Sequence, residues 1–126
     1  MHILANCLIG CPHSNNTKNK LNNLNKINKN IEINQINFNN KTEFKNKYKL
    51  GNTFYNTFPQ IFLINNKEKI LIGGNDTLTY ILDKINKVKS TDCDIIIKQI
   101  TKKLNHLSNK NILNVISILC NKCKCS

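Results

Sequence analysis

The chain has 126 residues and a formal net charge of +12, carried by 19 lysines without a single arginine, and 25 of its residues are asparagine. A chain of this length folds as one compact domain and buries roughly two-thirds of the surface its unfolded form exposes, so a core needs no disulfide or metal staple. The longest apolar runs, such as Ile95 to Ile97 and Asn114 to Cys120, fall far short of the ~18 to 20 residues of a membrane span. Scattered lysines, with Tyr48, Tyr55 and Tyr80 far apart, argue against a specific nucleic-acid surface.

In chain order, Ile3 to Ile9 is a short apolar run ended by Gly10 and reads as a buried strand. Its neighbours lack the basic start and full apolar core of a secretory signal, so none is expected. Cys11 and Pro12 open a helix to about Asn28, with Leu21, Leu24 and Ile27 at helical spacing. Ile31 to Phe38 supplies a second strand, and Lys41 to Leu50 a weaker helix with Gly51 as its stop. Gln60 to Ile64 and Lys69 to Ile72 form a hairpin that turns at Asn65-Asn66. Gly73 and Gly74 end it, Asn75 or Asp76 caps the next helix, and Leu78, Ile81, Leu82 and Ile85 are that helix's apolar face.

The order βαβα followed by ββα implies an α/β fold. A parallel crossover joined to an antiparallel hairpin makes its four-stranded sheet mixed and flanked by helices. Residues 90–126 add a C-terminal helical extension. Ile96, Ile100, Leu104 and Leu107 lie on one face, and Ile112, Val115, Ile116 and Leu119 on another, roughly over 111–121. Two amphipathic helices must cover something, either the sheet of residues 1–89 or a second copy, so the chain is a monomer or a homodimer through these helices. No linker rich in Pro, Gly or Ser separates the parts, which favours one domain.

Six cysteines divide into Cys7 and Cys11 near the start and Cys93, Cys120, Cys123 and Cys125 in the last quarter. With no export signal, reduced thiols in a cytoplasmic protein are expected rather than a disulfide framework. Cys7 lies on the first strand about 13 Å before Cys11, too far for a disulfide and suited to the core. The C-terminal C-x-x-C-x-C could ligate a metal only with Cys93 or His106 as fourth partner, and no metal site is assigned.

Cys11-Pro12-His13-Ser14 carries the chemistry. A cysteine where a strand gives way to a helix meets unpaired N–H groups and the positive end of the macrodipole, both of which favour thiolate over thiol. Such cysteines titrate in the range of roughly 3.5 to 7.5 and become nucleophiles. Pro12 suits the first helical position because its missing N–H has no partner to lose there. His13 either faces the substrate or is an idle surface residue.

Three separated pieces together resemble the glutaredoxins: Cys11-Pro12-His13-Ser14 after the first strand, Thr57-Phe58-Pro59 running into Gln60-Ile61-Phe62, and Gly73-Gly74-Asn75-Asp76 before a helix. The resemblance covers residues 1–89, a glutaredoxin-like domain, and implies a thioredoxin-like fold with a cis bond before Pro59. It implies a glutathione-dependent thiol–disulfide oxidoreductase that reduces glutathione mixed disulfides through Cys11, with glutathione as cofactor and glutathionylated or disulfide-containing proteins as partners. Thr57, Phe58 and Pro59 would pair with the cysteinyl part of glutathione, while Gly74, Asn75 and Asp76 hold its γ-glutamyl end. The lysine that family members carry three residues before the nucleophile is replaced by Leu8, and Ser14 at the fourth motif position excludes a disulfide relay within the motif. Two other readings follow from the same resemblance: a carrier of a [2Fe–2S] cluster shared between subunits, and a non-catalytic thioredoxin-fold adaptor.

Overall fold

The computed structural model describes residues 1–26, 30–40, 49–50, 53–54, 57–87 and 93–120. They form an α/β structure with a four-stranded mixed sheet and four α-helices. Strand β1 (His2–Leu8) runs parallel to β2 (Ile31–Ile36), and helix α1 (Pro12–Asn25) lies between them in sequence. The other edge of β1 pairs antiparallel with β5 (Gln60–Asn65), which pairs antiparallel with β6 (Glu68–Gly73), giving the order β2-β1-β5-β6. Helices α2 (Asn75–Lys87), α3 (Cys93–Lys103) and α4 (Asn109–Leu119) follow.

Strand alternation decides which side of the sheet is the main core. Ile3, Ala5 and Cys7 of β1 and Ile61 and Leu63 of β5 share one face, and all five are buried in a single cluster with side chains from every helix. Leu21 comes from α1, Leu78 and Ile81 from α2, and Ile96 and Ile100 from α3. From α4 come Ile112, Val115, Ile116, Ile118 and Leu119. The apolar faces of the last two helices are therefore spent inside the chain's own core. The opposite sheet face buries Asn6, Gln60 and Phe62. There Asn34 Nδ2 donates to Asn6 Oδ1 at 3.2 Å, and the Lys69 ammonium sits 4.6 Å from the Phe62 ring centroid.

The inner face of α1 is more polar than its leucine spacing suggests. Ser14, Thr17 and Leu21 are its buried residues, on one face at intervals of three and four. Small hydroxyl side chains let the start of this helix approach β1 and α2 closely. Ile27, expected on the same face, lies outside the described residues.

Three expectations need correction. Lys49–Leu50, the end of the helix expected over 41–50, is a two-residue strand, β3, paired antiparallel with β4 (Thr53–Phe54). The intervening sequence, Gly51-Asn52, has the composition of a two-residue hairpin connection, and this local preference prevails over weak helical spacing. The rest of that helix, residues 41–48, lies outside the described residues. Second, the β5–β6 turn falls one residue later, at Asn66-Lys67, because Asn65 pairs with Glu68. Asn66 takes φ +56°, a conformation asparagine tolerates.

Third, α2 begins at Asn75, and the Leu78 N–H donates to the Gly74 carbonyl at 3.1 Å. Gly74 is thus the capping residue, while Asn75 and Asp76 belong to the first turn. The approach of α2 to β6 also dictates Gly73, whose φ is +150° and where any Cβ would overlap the Thr77 side chain.

In the extension, Ser108 Oγ accepts from the Asn111 N–H at 3.1 Å and caps α4. Tyr80 of α2 donates its hydroxyl to the Gln99 carbonyl of α3 at 3.1 Å, and the Lys103 ammonium lies 4.4 Å from the Tyr80 ring centroid. Among the described residues no helix is long and apolar enough to cross a membrane.

Candidate active site

Cys11 is the residue immediately before α1, with extended backbone (φ −85°, ψ 124°) and Pro12 at the first helical position. Its carbonyl already accepts from Asn15 N at 2.9 Å, so the helical ladder begins on Cys11 itself. The turn that delivers it is tight. Gly10 takes φ +84°, open to a residue without a side chain, and the Cys11 N–H returns to the Leu8 carbonyl at 3.2 Å. The thiol is half-buried, Pro12 and His13 are exposed, and Ser14 is fully buried.

Ser14 links the strand to the thiol. Its Oγ accepts from the Leu8 N–H at 3.0 Å, which leaves the hydroxyl proton to donate, and Cys11 is its target. Burial alone pushes the Cys11 thiol up. The backbone N–H and hydroxyl of Ser14 and the backbone N–H of His13 outweigh that, and the pKa lies below the ordinary 9.0. These donors stabilise the charged form only, which is the condition for a nucleophilic sulfur near neutrality.

Cys7 is the opposite case. It is buried in the core, and that burial pushes its pKa up to about 11, against a lowering influence of Lys18 and with a small addition from Cys11. Between pH 9 and 11 the unfolded chain gives up this proton and the folded chain keeps it, so stability falls as pH rises through that window. The expected loss is about 2–3 kcal/mol. Denaturant titrations at pH 8.5 and 11 check it, and Cys7→Ala should show a shallower decline.

Cys7 and Cys11 are both free thiols. Cys120 is disulfide-bonded, which corrects the expectation of reduced thiols at that position and removes it as a thiolate ligand. It is buried at the end of α4. Cys123 and Cys125 lie outside the described residues. No group of three or more His, Cys, Asp or Glu stands together among the described residues.

A cavity of about 300 Å³ opens beside α1. His13, Thr57, Phe58, Pro59, Gly74, Asn75 and Asp76 line it together with Ile72, Gly73, Thr77 and His106. Four segments far apart in sequence therefore meet at one hollow, of a size at the lower end of small-molecule sites. Cys11, Pro12 and Ser14 do not line it; Cys11 precedes the lining residue His13 by two positions. The Phe58–Pro59 peptide is cis. Pro59 is buried, Phe58 half-buried and Thr57 exposed.

The first turn of α2 faces this hollow with backbone N–H groups that have no acceptor inside the helix. Asp76 adds an exposed carboxylate in the same turn. Asn75 is tied to α1, since the Thr17 hydroxyl donates to its Oδ1 at 2.8 Å. What Asn75 offers a ligand is therefore its backbone N–H and its amide nitrogen. None of the 19 lysines lines the cavity among the described residues, and its titratable groups are His13, Asp76 and His106.

His106, named in the sequence only as a possible fourth metal partner of the C-terminal cysteines, lines this cavity instead. It sits in the turn between α3 and α4, and no spacing motif ties it to Cys11 or Asp76. No protein-family model, curated protein or solved structure matches the chain.

Proposed function

We propose that the protein is a glutathione-dependent thiol–disulfide oxidoreductase of glutaredoxin type, built on a thioredoxin-like fold, with Cys11 as its single nucleophile. One observation carries this reading. Among the described residues, the half-exposed free thiol of Cys11 at a helix start has its pKa lowered by Ser14 and His13, and that helix borders a cavity whose donors suit a γ-glutamyl peptide. The strand order, with a parallel β1–β2 crossover and an antiparallel β5–β6 hairpin, is compatible with that fold.

The lining residues fit the ligand group by group. Backbone N–H groups of the first turn of α2 hold the γ-glutamyl carboxylate, favoured there by the helix dipole. Asp76 faces the adjacent ammonium. The backbone of Thr57 and Phe58 pairs with the cysteinyl residue as a short strand would. The ligand's sulfur is then directed toward Cys11.

The Cys11 thiolate attacks the glutathione sulfur of a mixed disulfide. The old S–S bond breaks, the electron pair leaves with the substrate thiolate, and Cys11 is left glutathionylated. Exchange with a second glutathione thiolate returns Cys11 to its starting state and releases glutathione disulfide. One free glutathione is consumed per turnover and the other half of the glutathione disulfide comes from the substrate, so the disulfide bond passes from the substrate to glutathione. Ser14 has no sulfur, so the cycle needs no second thiol in the motif.

The test is turnover of a glutathionylated peptide with free glutathione as reductant, together with mass spectrometry of the quenched enzyme. Release of the peptide thiol and a glutathione adduct on Cys11 support the reading. Absence of turnover while Cys11 still reacts with an alkylating agent contradicts it.

Ser14→Ala gives a graded result. It removes one donor to the thiolate and strands the half-buried Leu8 N–H, so the pH–rate profile should move to higher pH and stability should drop by about 1–2 kcal/mol. Activity is lowered several-fold near neutrality without being abolished. Alkylation rates across pH and a denaturant titration measure the two effects.

A further inference from the structure

We propose that His106, supplied by the C-terminal extension, binds a carboxylate of the glutathionyl substrate through its imidazolium. The inference rests on the cavity being a glutathione site and adds a residue from outside the 1–89 unit to it.

A register shift in the sheet first creates the place for this side chain. Phe62 pairs with Leu71 and Ile61 with Gly73, so Ile72 is the extra residue of a β-bulge. A bulge takes a residue out of the regular ladder and re-aims its groups. The Ile72 carbonyl lies 3.0 Å from His106 Nε2.

A carbonyl can only accept, so Nε2 carries the proton in this contact. That leaves Nδ1 as the ring atom for a ligand. In the neutral ring Nδ1 is an acceptor and has nothing to offer a carboxylate. In the imidazolium it is a charged donor, in a cavity that the first turn of α2 also lines.

Charge balance in the cavity argues for the same role. Glutathione carries two carboxylates and one ammonium. No lysine lines the cavity among the described residues, and Leu8 stands three residues before Cys11. Histidine is the one side chain whose ordinary titration spans physiological pH, so it can supply the missing cation. The other titratable side chains that line the cavity are Asp76 from α2 and His13 from α1. The helices that flank the turn carry Lys102 and Lys103 on α3 and Lys110 on α4.

Two variants separate ligand binding from a structural role. His106→Gln keeps an amide donor that can reach the Ile72 carbonyl but cannot take a charge, whereas His106→Ala loses both functions. With a glutathionylated peptide at pH 6.5, both variants should raise KM roughly 10-fold and leave kcat within about two-fold, as expected for loss of one charge-assisted contact. His106→Gln should keep the wild-type Tm, and the rate of Cys11 alkylation by iodoacetamide should not change in either variant.

A wild-type KM in His106→Gln would reduce His106 to a staple between the turn and β6, and overturns the inference. A parallel change in alkylation rate overturns it as well, because the residue would then act on Cys11. If the wild-type protein itself shows no turnover, the reading of the cavity fails and this inference fails with it; wild-type turnover with unaltered variants removes the inference alone.

Discussion

Cys11→Ser reduces glutathione-dependent exchange to the uncatalysed background while leaving the fold intact. The serine hydroxyl is smaller than the thiol it replaces and sits at a helix start, where serine is a favoured residue, so stability should be unchanged or slightly higher. Nucleophilicity is what disappears. A thiol whose pKa is lowered by Ser14 and His13 is ionised to a greater extent than an ordinary thiol at any pH below that pKa, whereas a serine hydroxyl with no adjacent base is not a comparable nucleophile. Cys7 cannot replace it, since burial keeps that thiol protonated up to about pH 11. Turnover of a glutathionylated peptide and a thermal melt check both halves of the statement. Residual turnover in Cys11→Ser well above background would assign the chemistry to another sulfur.

Ile116→Ala has the largest expected effect on stability. Ile116 is fully buried on α4, in the cluster that also contains Ile3 and Ala5 of β1 and Leu78 of α2. Truncating it removes three methyl or methylene groups from a site enclosed by several elements, at a cost of about 2–5 kcal/mol. For a chain of this size the midpoint of thermal unfolding falls by on the order of 10 °C. Because the extension shares its core with the sheet, the loss belongs to the whole molecule. Exposure of buried Cys7 to a thiol reagent should therefore follow the same unfolding curve as the loss of helical signal. Separate transitions would show that 93–120 unfolds as its own unit.

The elements whose local signals agree with each other were legible in the sequence. The run from Ile3 to Ile9 closed by Gly10, and Pro12 directly after it, set both the first strand and the start of α1 within a residue or two. The spacing of Leu78, Ile81, Leu82 and Ile85 did the same for α2, and that of Ile112, Val115, Ile116 and Leu119 for α4. Lys49 and Leu50 were misread because two residues carry no period; their strand pairing depends on Thr53 and Phe54 opposite.

The site was legible to the degree that it is built from contiguous segments. His13, Thr57 to Pro59 and Gly74 to Asp76 come to one cavity because β1 and β6 end, and antiparallel β5 begins, at the same edge of the sheet. The connection between Ser14 and the Leu8 N–H, and that between Thr17 and Asn75, were hidden, since a serine or threonine in a helix gives no sign in sequence of facing inward. The bulge at Ile72 was hidden for a similar reason. It is one residue out of register in a strand whose apolar pattern is otherwise unbroken. His106 reaches the cavity only because α3 and α4 fold back over the sheet, a tertiary result that no spacing between residues 72 and 106 encodes.

Rates of Cys11 alkylation from pH 4 to 10, read on the peptide that carries Cys11, are the most direct test, with Cys7→Ala as the background to exclude the other free thiol among the described residues. The account requires a single ionisation with its midpoint below the ordinary thiol value, displaced upward in Ser14→Ala. A midpoint at or above that value, unmoved by the loss of the Ser14 hydroxyl, would mean that the start of α1 does not activate this sulfur and that the proposed chemistry has no nucleophile.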